Sequence, residues 1–229
     1  MILTLKIVLW QKFFLNINKS KSCEKRGEEE QMSDLEFLGF ANDVSTLDPI
    51  MYQYFNQLLR KRTIVLNSEI DESILETVVL PLKDFEQDTD DTPVKLILNT
   101  PGGSVADGLM LCNIIDNYKK PLEIIVPSYS CSMGTIILCS GNKNPNVVKK
   151  AYPFSFALFH SGQTYVGGES TSVEDVMNFN KGVDNRIRDY IIANTNITEE
   201  LYDAHHRKQW YISAEEMLKY GLIDEIIGA

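Results

Sequence analysis

Four short runs of consecutive apolar residues constrain this chain most: TIVLNS (63–68), VKLILNT (94–100), LEIIVP (122–127) and SFALFHS (155–161). Runs that are apolar without alternation belong to strands covered on both faces. Helical spacing fills the gaps between them. DPIMYQYFNQLLRKR puts Met51, Tyr52, Phe55, Leu58 and Leu59 on one side and ends in basic residues, as a helix C-terminus favours. VADGLMLCNIIDNY reads as a helix, and TIILCSG as a buried helix closed by Gly141. Residues 71–87 also look helical, with Pro81 expected to bend or split them. A long helix is predicted over 173–195 and a polar one over TEELYDAHHRKQ, with Thr198 as N-cap. SAEEMLKYGLID carries a capping box, Ser213 with Glu216, and stops at Gly221. Strands alternating with helices predict α/β layers around a largely parallel sheet.

At 229 residues and 44% hydrophobic, the chain suits one domain with a full core. Net charge is -10, from 22 basic and 32 acidic residues, which argues against nucleic acid and anionic membranes as partners. Cys23, Cys112, Cys131 and Cys139 form no CxxC pair, and three lie in apolar runs. Free buried thiols in a reducing, cytoplasmic compartment account for them, and no metal or cofactor is expected. His205 and His206 are the only histidines close together, and they sit on a polar stretch read as solvated. MILTLKIVLWQKFFLNI is interrupted at Lys6 and Lys12, too soon to span a bilayer. Lys25-Arg26-Gly27-Glu28-Glu29, just before Met32, is what a purine-rich ribosome-binding site yields when translated. Residues 1–31 are therefore expected to be a non-native or disordered extension, and 32–229 the folded domain.

Two local features suit acyl transfer. TPGGSV follows a strand and precedes a helix, and Gly102 and Gly103 permit torsions that aim a peptide N–H into a cleft. Ser132-Met133-Gly134 stands at a strand-to-helix junction, where unpaired N–H groups and the helix dipole favour negative charge. Taken singly, the first is most often a plain turn and the second a plain cap. A nucleophilic serine needs a base. His160 leaves an apolar strand into a glycine-rich loop, a place that suits a cleft residue or a satisfied core histidine equally.

In order along the chain, LILNTPGGSVADG, SCSMGTIILCSG, FALFHSG with VGG after it, and WYISAEEMLKYGLID resemble the ClpP family of serine peptidases, the proteolytic subunits of Clp proteases. The resemblance runs from about 55 to 227. It implies the ClpP/crotonase-type fold, repeated ββα units with a long handle helix. It implies Ser132 as nucleophile, His160 as general base, and the Gly103 and Met133 N–H groups as oxyanion hole. GQTYVGGES matches the strand that pairs with an extended substrate. Ser128 and Ser130 then become loop residues and Cys131 a small buried neighbour. The resemblance further implies heptameric rings stacked in pairs, an ATP-driven AAA+ unfoldase as partner, and unfolded polypeptide as substrate.

One position departs. The family's third triad residue is an Asp four before the serine of its aromatic-apolar-Ser-Ala element. Here that element is Tyr211-Ile212-Ser213-Ala214, and Gln209 stands in the place of the acid. An amide oxygen accepts a bond from the imidazole but cannot offset its positive charge. Three outcomes stay open: a slow protease with Gln209 orienting His160, recruitment of another acid such as Asp203, or an inactive structural subunit of a mixed ring. A phage-type maturation protease is a related variant. A crotonase-type acyl-CoA enzyme shares the fold, but Ser132 with His160 argues against it. The connection GNKNPNVVKKAYPFS looks a few residues long and is expected to be absorbed in a surface turn.

Overall fold

The computed structural model describes residues 49–162, 169–206 and 208–228. The extension 1–31, the start at Met32 and the substrate-pairing segment within GQTYVGGES lie outside them.

The order is α1 (Pro49–Arg60), β1 (Thr63–Leu66), a π-helical turn (Leu75–Val79) running into α2 (Leu80–Gln87), β2 (Val94–Leu98), α3 (Val105–Asp116) and β3 (Leu122–Val126). Then come β4 (Tyr129–Cys131), α4 (Met133–Leu138), β5 (Val147–Ala151), β6 (Phe156–Phe159), α5 (Ser170–Asn194), α6 (Glu199–His205), β7 (Trp210–Ser213), α7 (Ala214–Lys219) and β8 (Glu225–Ile226). A five-stranded sheet runs β1-β2-β3-β5-β8, and a three-stranded one runs β4-β6-β7. Every pairing in the larger sheet is parallel. In the smaller, β4 is parallel to β6 and β7 antiparallel. This is the α/β class expected.

Pro81 splits its helix: the π-helical turn occupies 75–79 and the α-helix starts at Leu80, with proline in the first turn where its missing N–H costs nothing. Thr198 and Ser213 cap as predicted, Ser213 through the reciprocal bonds with Glu216. Gly141 and Gly221 take φ of 74° and 72°, the left-handed geometry that ends a helix.

The strands differ from expectation in one respect. Each buries alternate residues: Ile64, Leu66, Leu96, Leu98, Ile124 and Val126 lie in the core, while Lys95, Ile97, Glu123 and Ile125 point to a half-open face. Lys150 completes that face by bridging Glu123 at 2.9 Å and Glu225 at 3.0 Å. The GNKNPNVVKKAYPFS connection is also more than a turn. Its VVKKA is β5, paired between β3 and β8, with Lys149 on the buried side.

Candidate functional site

The parallel register of β4 and β6 builds the site. Cys131 pairs with Leu158, so the residues just past each strand emerge at the same C-terminal edge. In open parallel sheets that edge is where ligands bind. Ser132 follows Cys131, and His160 follows Phe159, the last residue of β6. The Ser132 N–H donates to the Leu158 carbonyl at 2.7 Å, fixing one strand end to the other.

Ser132 adopts φ 55°, ψ −121°, a left-handed conformation that a side chain normally avoids. The chain turns there from strand to helix within one residue, the strained elbow that lifts a serine out of a sheet. Thr135, fully buried one turn on, sets the elbow. Its hydroxyl lies 2.7 Å from the Ser130 carbonyl and 2.9 Å from the Leu158 carbonyl, and accepts the Leu158 N–H at 3.2 Å.

The Pro-Gly-Gly turn packs directly against this elbow. At Gly102, φ 101°, a Cβ would come within 2.6 Å of the Ser132 Cβ, 2.7 Å of the Cys131 carbonyl and 3.0 Å of the Met133 nitrogen. Gly103 is held by Ile70 on both sides: Ile70 donates to the Gly102 carbonyl at 2.8 Å and accepts from Ser104 at 2.7 Å. Among the described hydrogen bonds, neither the Gly103 nor the Met133 N–H is used; Met133 opens α4, where a helix leaves its first N–H groups unpaired. The Met133 side chain is buried against α3, where a Cβ on Gly108 would meet its Cγ at 2.2 Å.

Ser132, Met133, His160 and Ser161 line one cleft of about 220 Å³, walled by Ile136, Phe159, Ile187, Ile191 and Trp210, with Asp184 also lining it. The structure thus brings Ser132, His160 and Met133 together at one cleft, with the glycine turn against the elbow.

Position 209 behaves differently. The antiparallel register of β6 and β7 ends at Phe159 with Trp210, and its continuation by one step would set Gln209 opposite His160. Yet the Gln209 amide oxygen accepts the Tyr211 hydroxyl at 3.2 Å, and no described hydrogen bond joins it to His160. Asp203 is committed elsewhere, its carboxylate meeting Arg188 at 3.3 Å. The His160 Nδ1 instead lies 2.8 Å from the Ser161 carbonyl.

His205 and His206 are half-buried rather than free in solvent. His205 stacks on Trp210 at 4.5 Å between ring centres, and His206 lies flat on Tyr202 at 5.7 Å and lines the cleft. Their helix is charged on one side only, and the aromatic partners come from Trp210 in a later strand and Tyr202 a turn earlier. The Tyr202/His206 spacing was the available signal. Ser130 is not a loop residue but the buried centre of β4, and Cys131 is half-buried. Burial pushes the Cys139 thiol up to about 12 and raises Cys112 and Cys131 too, so all three stay protonated and poorly nucleophilic at neutral pH. Among the described residues, no helix is long and apolar enough to cross a membrane.

A serine on a strained strand-to-helix turn, a glycine loop against it and a histidine in the same cleft form the arrangement of a serine hydrolase. The model of the Clp protease family matches residues 47–229, and the chain belongs to that family. Among similar proteins are two from Dehalococcoides mccartyi, strains BAV1 and CBDB1, both named ATP-dependent Clp protease proteolytic subunit. Each is 26% identical over 178 residues, covering 77% of this chain and 86% of the relative.

Proposed function

We propose that the protein is a serine endopeptidase in which Ser132 attacks a peptide carbonyl. His160 takes the Ser132 proton at Nε2 and returns it to the leaving amine, releasing the first product. Water, deprotonated by the same imidazole, then hydrolyses the acyl-enzyme. The Gly103 and Met133 N–H groups hold the oxyanion in both steps. The observation that carries this reading is the backbone of Ser132, φ 55° at the start of α4 and against Gly102. Such strain persists where its surroundings enforce it, and it clusters at reactive residues.

The substrate is unfolded polypeptide, bound as an added strand, a mode that reads backbone more than side chain. The apolar wall of Ile136, Phe159, Ile187 and Ile191 favours an apolar side chain next to the cleaved bond. By its family, the chain forms heptameric rings stacked in pairs in the cytoplasm, enclosing the sites in a chamber fed by an AAA+ unfoldase. The sequence has no phosphate-binding loop, which leaves ATP hydrolysis to that partner. No cofactor or metal enters this mechanism.

The test is fluorophosphonate labelling of the assembled protein beside a peptidase assay. Wild type is expected to label at Ser132 and cleave peptides, and Ser132→Ala to do neither. An unlabelled wild type would instead support the second reading, a structural ring subunit, which the turning of Gln209 onto Tyr211 favours.

A further inference from the structure

A general base must carry its proton on the far nitrogen, and something must hold it there. No described hydrogen bond joins His160 to a carboxylate or to a side-chain amide, Asp184 in the same cleft included. Gln209 is bonded to Tyr211, and Asp203 faces Arg188, which also binds Glu199. The acceptor that does reach the ring is a main-chain carbonyl, that of Ser161, 2.8 Å from Nδ1. A carbonyl cannot donate, so this contact requires Nδ1 to bear the proton and leaves Nε2 with the lone pair that deprotonates a serine.

The carbonyl is itself held in place. The Ser161 hydroxyl donates to the His206 carbonyl at 2.8 Å, across 45 residues of sequence. His206 caps the end of α6, its Nδ1 on the Asp203 carbonyl at 3.0 Å and its ring flat on Tyr202. Ser161 is therefore fastened to the end of α6 through its side chain, next to the residue proposed as the base for Ser132.

We propose that Ser161 is the positioning residue for His160: its carbonyl holds the Nδ1 proton where a carboxylate would, and its hydroxyl pins that carbonyl to the end of α6. The proposal rests on the serine-peptidase reading for its catalytic consequence. A neutral acceptor fixes tautomer and aim but offsets little of the imidazolium charge. The site is built to work, more slowly than one backed by a carboxylate.

The experiment combines solid-state ¹⁵N spectra of histidine-labelled, assembled protein with peptide kinetics. The His160 signals are assigned by their loss in His160→Ala. Wild type is expected to show the Nδ1–H tautomer at His160. Ser161→Ala is expected to mix the tautomers and lower kcat roughly 10- to 100-fold, with KM within about twofold, because the loop is no longer held in register. Ser161→Thr, which keeps the hydroxyl, is expected to restore the spectrum and most of kcat. An Nε2–H tautomer in wild type, or a Ser161→Ala protein with unchanged spectrum and kcat, would overturn the proposal. A wild type that hydrolyses no peptide would defeat the peptidase reading alone, since the spectrum still decides which nitrogen Ser161 holds.

Discussion

Two residues decide how fast the site can run. The ladder ends at the Phe159–Trp210 pair, and continuing its register one step would set Gln209 opposite His160. Opposed side chains in an antiparallel pair have their Cβ atoms about 5 Å apart, within reach of the ring for a carboxylate. Gln209→Asp is expected to raise kcat at least about tenfold, because losing the acid from a complete triad costs about 10⁴-fold. A peptidase assay checks it, and a fall in kcat would show that position 209 does not back the imidazole. Gly102 controls the other half of the site. Its φ of 101° and the 2.6 Å approach of a Cβ to Ser132 leave no room for a side chain. Gly102→Ala is expected to push the glycine turn off the elbow and cost about 100-fold in kcat, as losing an oxyanion donor does. KM should change far less, and steady-state kinetics separates the two.

Among the elements, the smaller sheet carries the proposed catalytic geometry, and Thr135 is what ties it. Thr135→Val keeps the shape but removes a fully buried hydroxyl shared by Ser130, Leu158 and the Leu158 N–H. Unfolding in urea is expected to show a loss of about 1–3 kcal/mol, the cost of stranding buried polar groups. The elements that could be read from sequence were those whose signals are local. The caps at Thr198 and Ser213 and the stop at Gly221 depend on residues within one turn. β5 escaped because its two lysines mimic a polar loop, although the burial pattern of Val147, Lys149 and Ala151 has the two-residue period of a strand. β4 escaped because its three residues hide between serines. At the site, the order of motifs singled out Ser132 and His160. The environments of Gln209 and Asp203 were not readable, because Tyr211 and Arg188 capture them through side-chain rotamers. The Ser161–His206 bond spans segments that only the fold brings together.

At the scale of the whole molecule, α5 and Lys149 matter most. α5 is 25 residues long and buries only Ile191 fully, while Val176, Met177 and Phe179 stand 42%, 53% and 70% exposed. Val176 and Phe179, three residues apart, lie on one side of the helix, and apolar side chains grouped there suit a face shared between copies. On the proposed stacking of rings through α5, Val176→Lys with Phe179→Lys is expected to halve the assembly in sedimentation while leaving Tm nearly unchanged. Lys149 acts inside one subunit. Its ammonium donates to the carbonyls of Leu138 and Ser140 and to the Asn142 side chain, gathering the buried C-terminal end of α4. Its backbone pairs with Asp224 at 2.7 Å in both directions, and Asn142 reaches the Gly221 carbonyl at 2.7 Å. Helix α4, β5 and the segment entering β8 therefore meet at one buried cation. Burial pushes its pKa down from 10.5 to about 8. The unfolded chain thus binds this proton more tightly than the folded one between those values, and linkage makes the Lys149 contribution to stability rise with pH across that window. The penalty is complete below about pH 8 and fades toward 10.5. Urea unfolding at pH 7.5 and pH 10 is expected to show wild type gaining about 2 kcal/mol relative to Lys149→Met between the two, from the 1.4 kcal/mol that each pKa unit represents. Comparing the two proteins cancels the titration of every other group. A difference that stays flat would mean the lysine is equally content charged in both states, and that the carbonyls at the end of α4 compensate its burial in full.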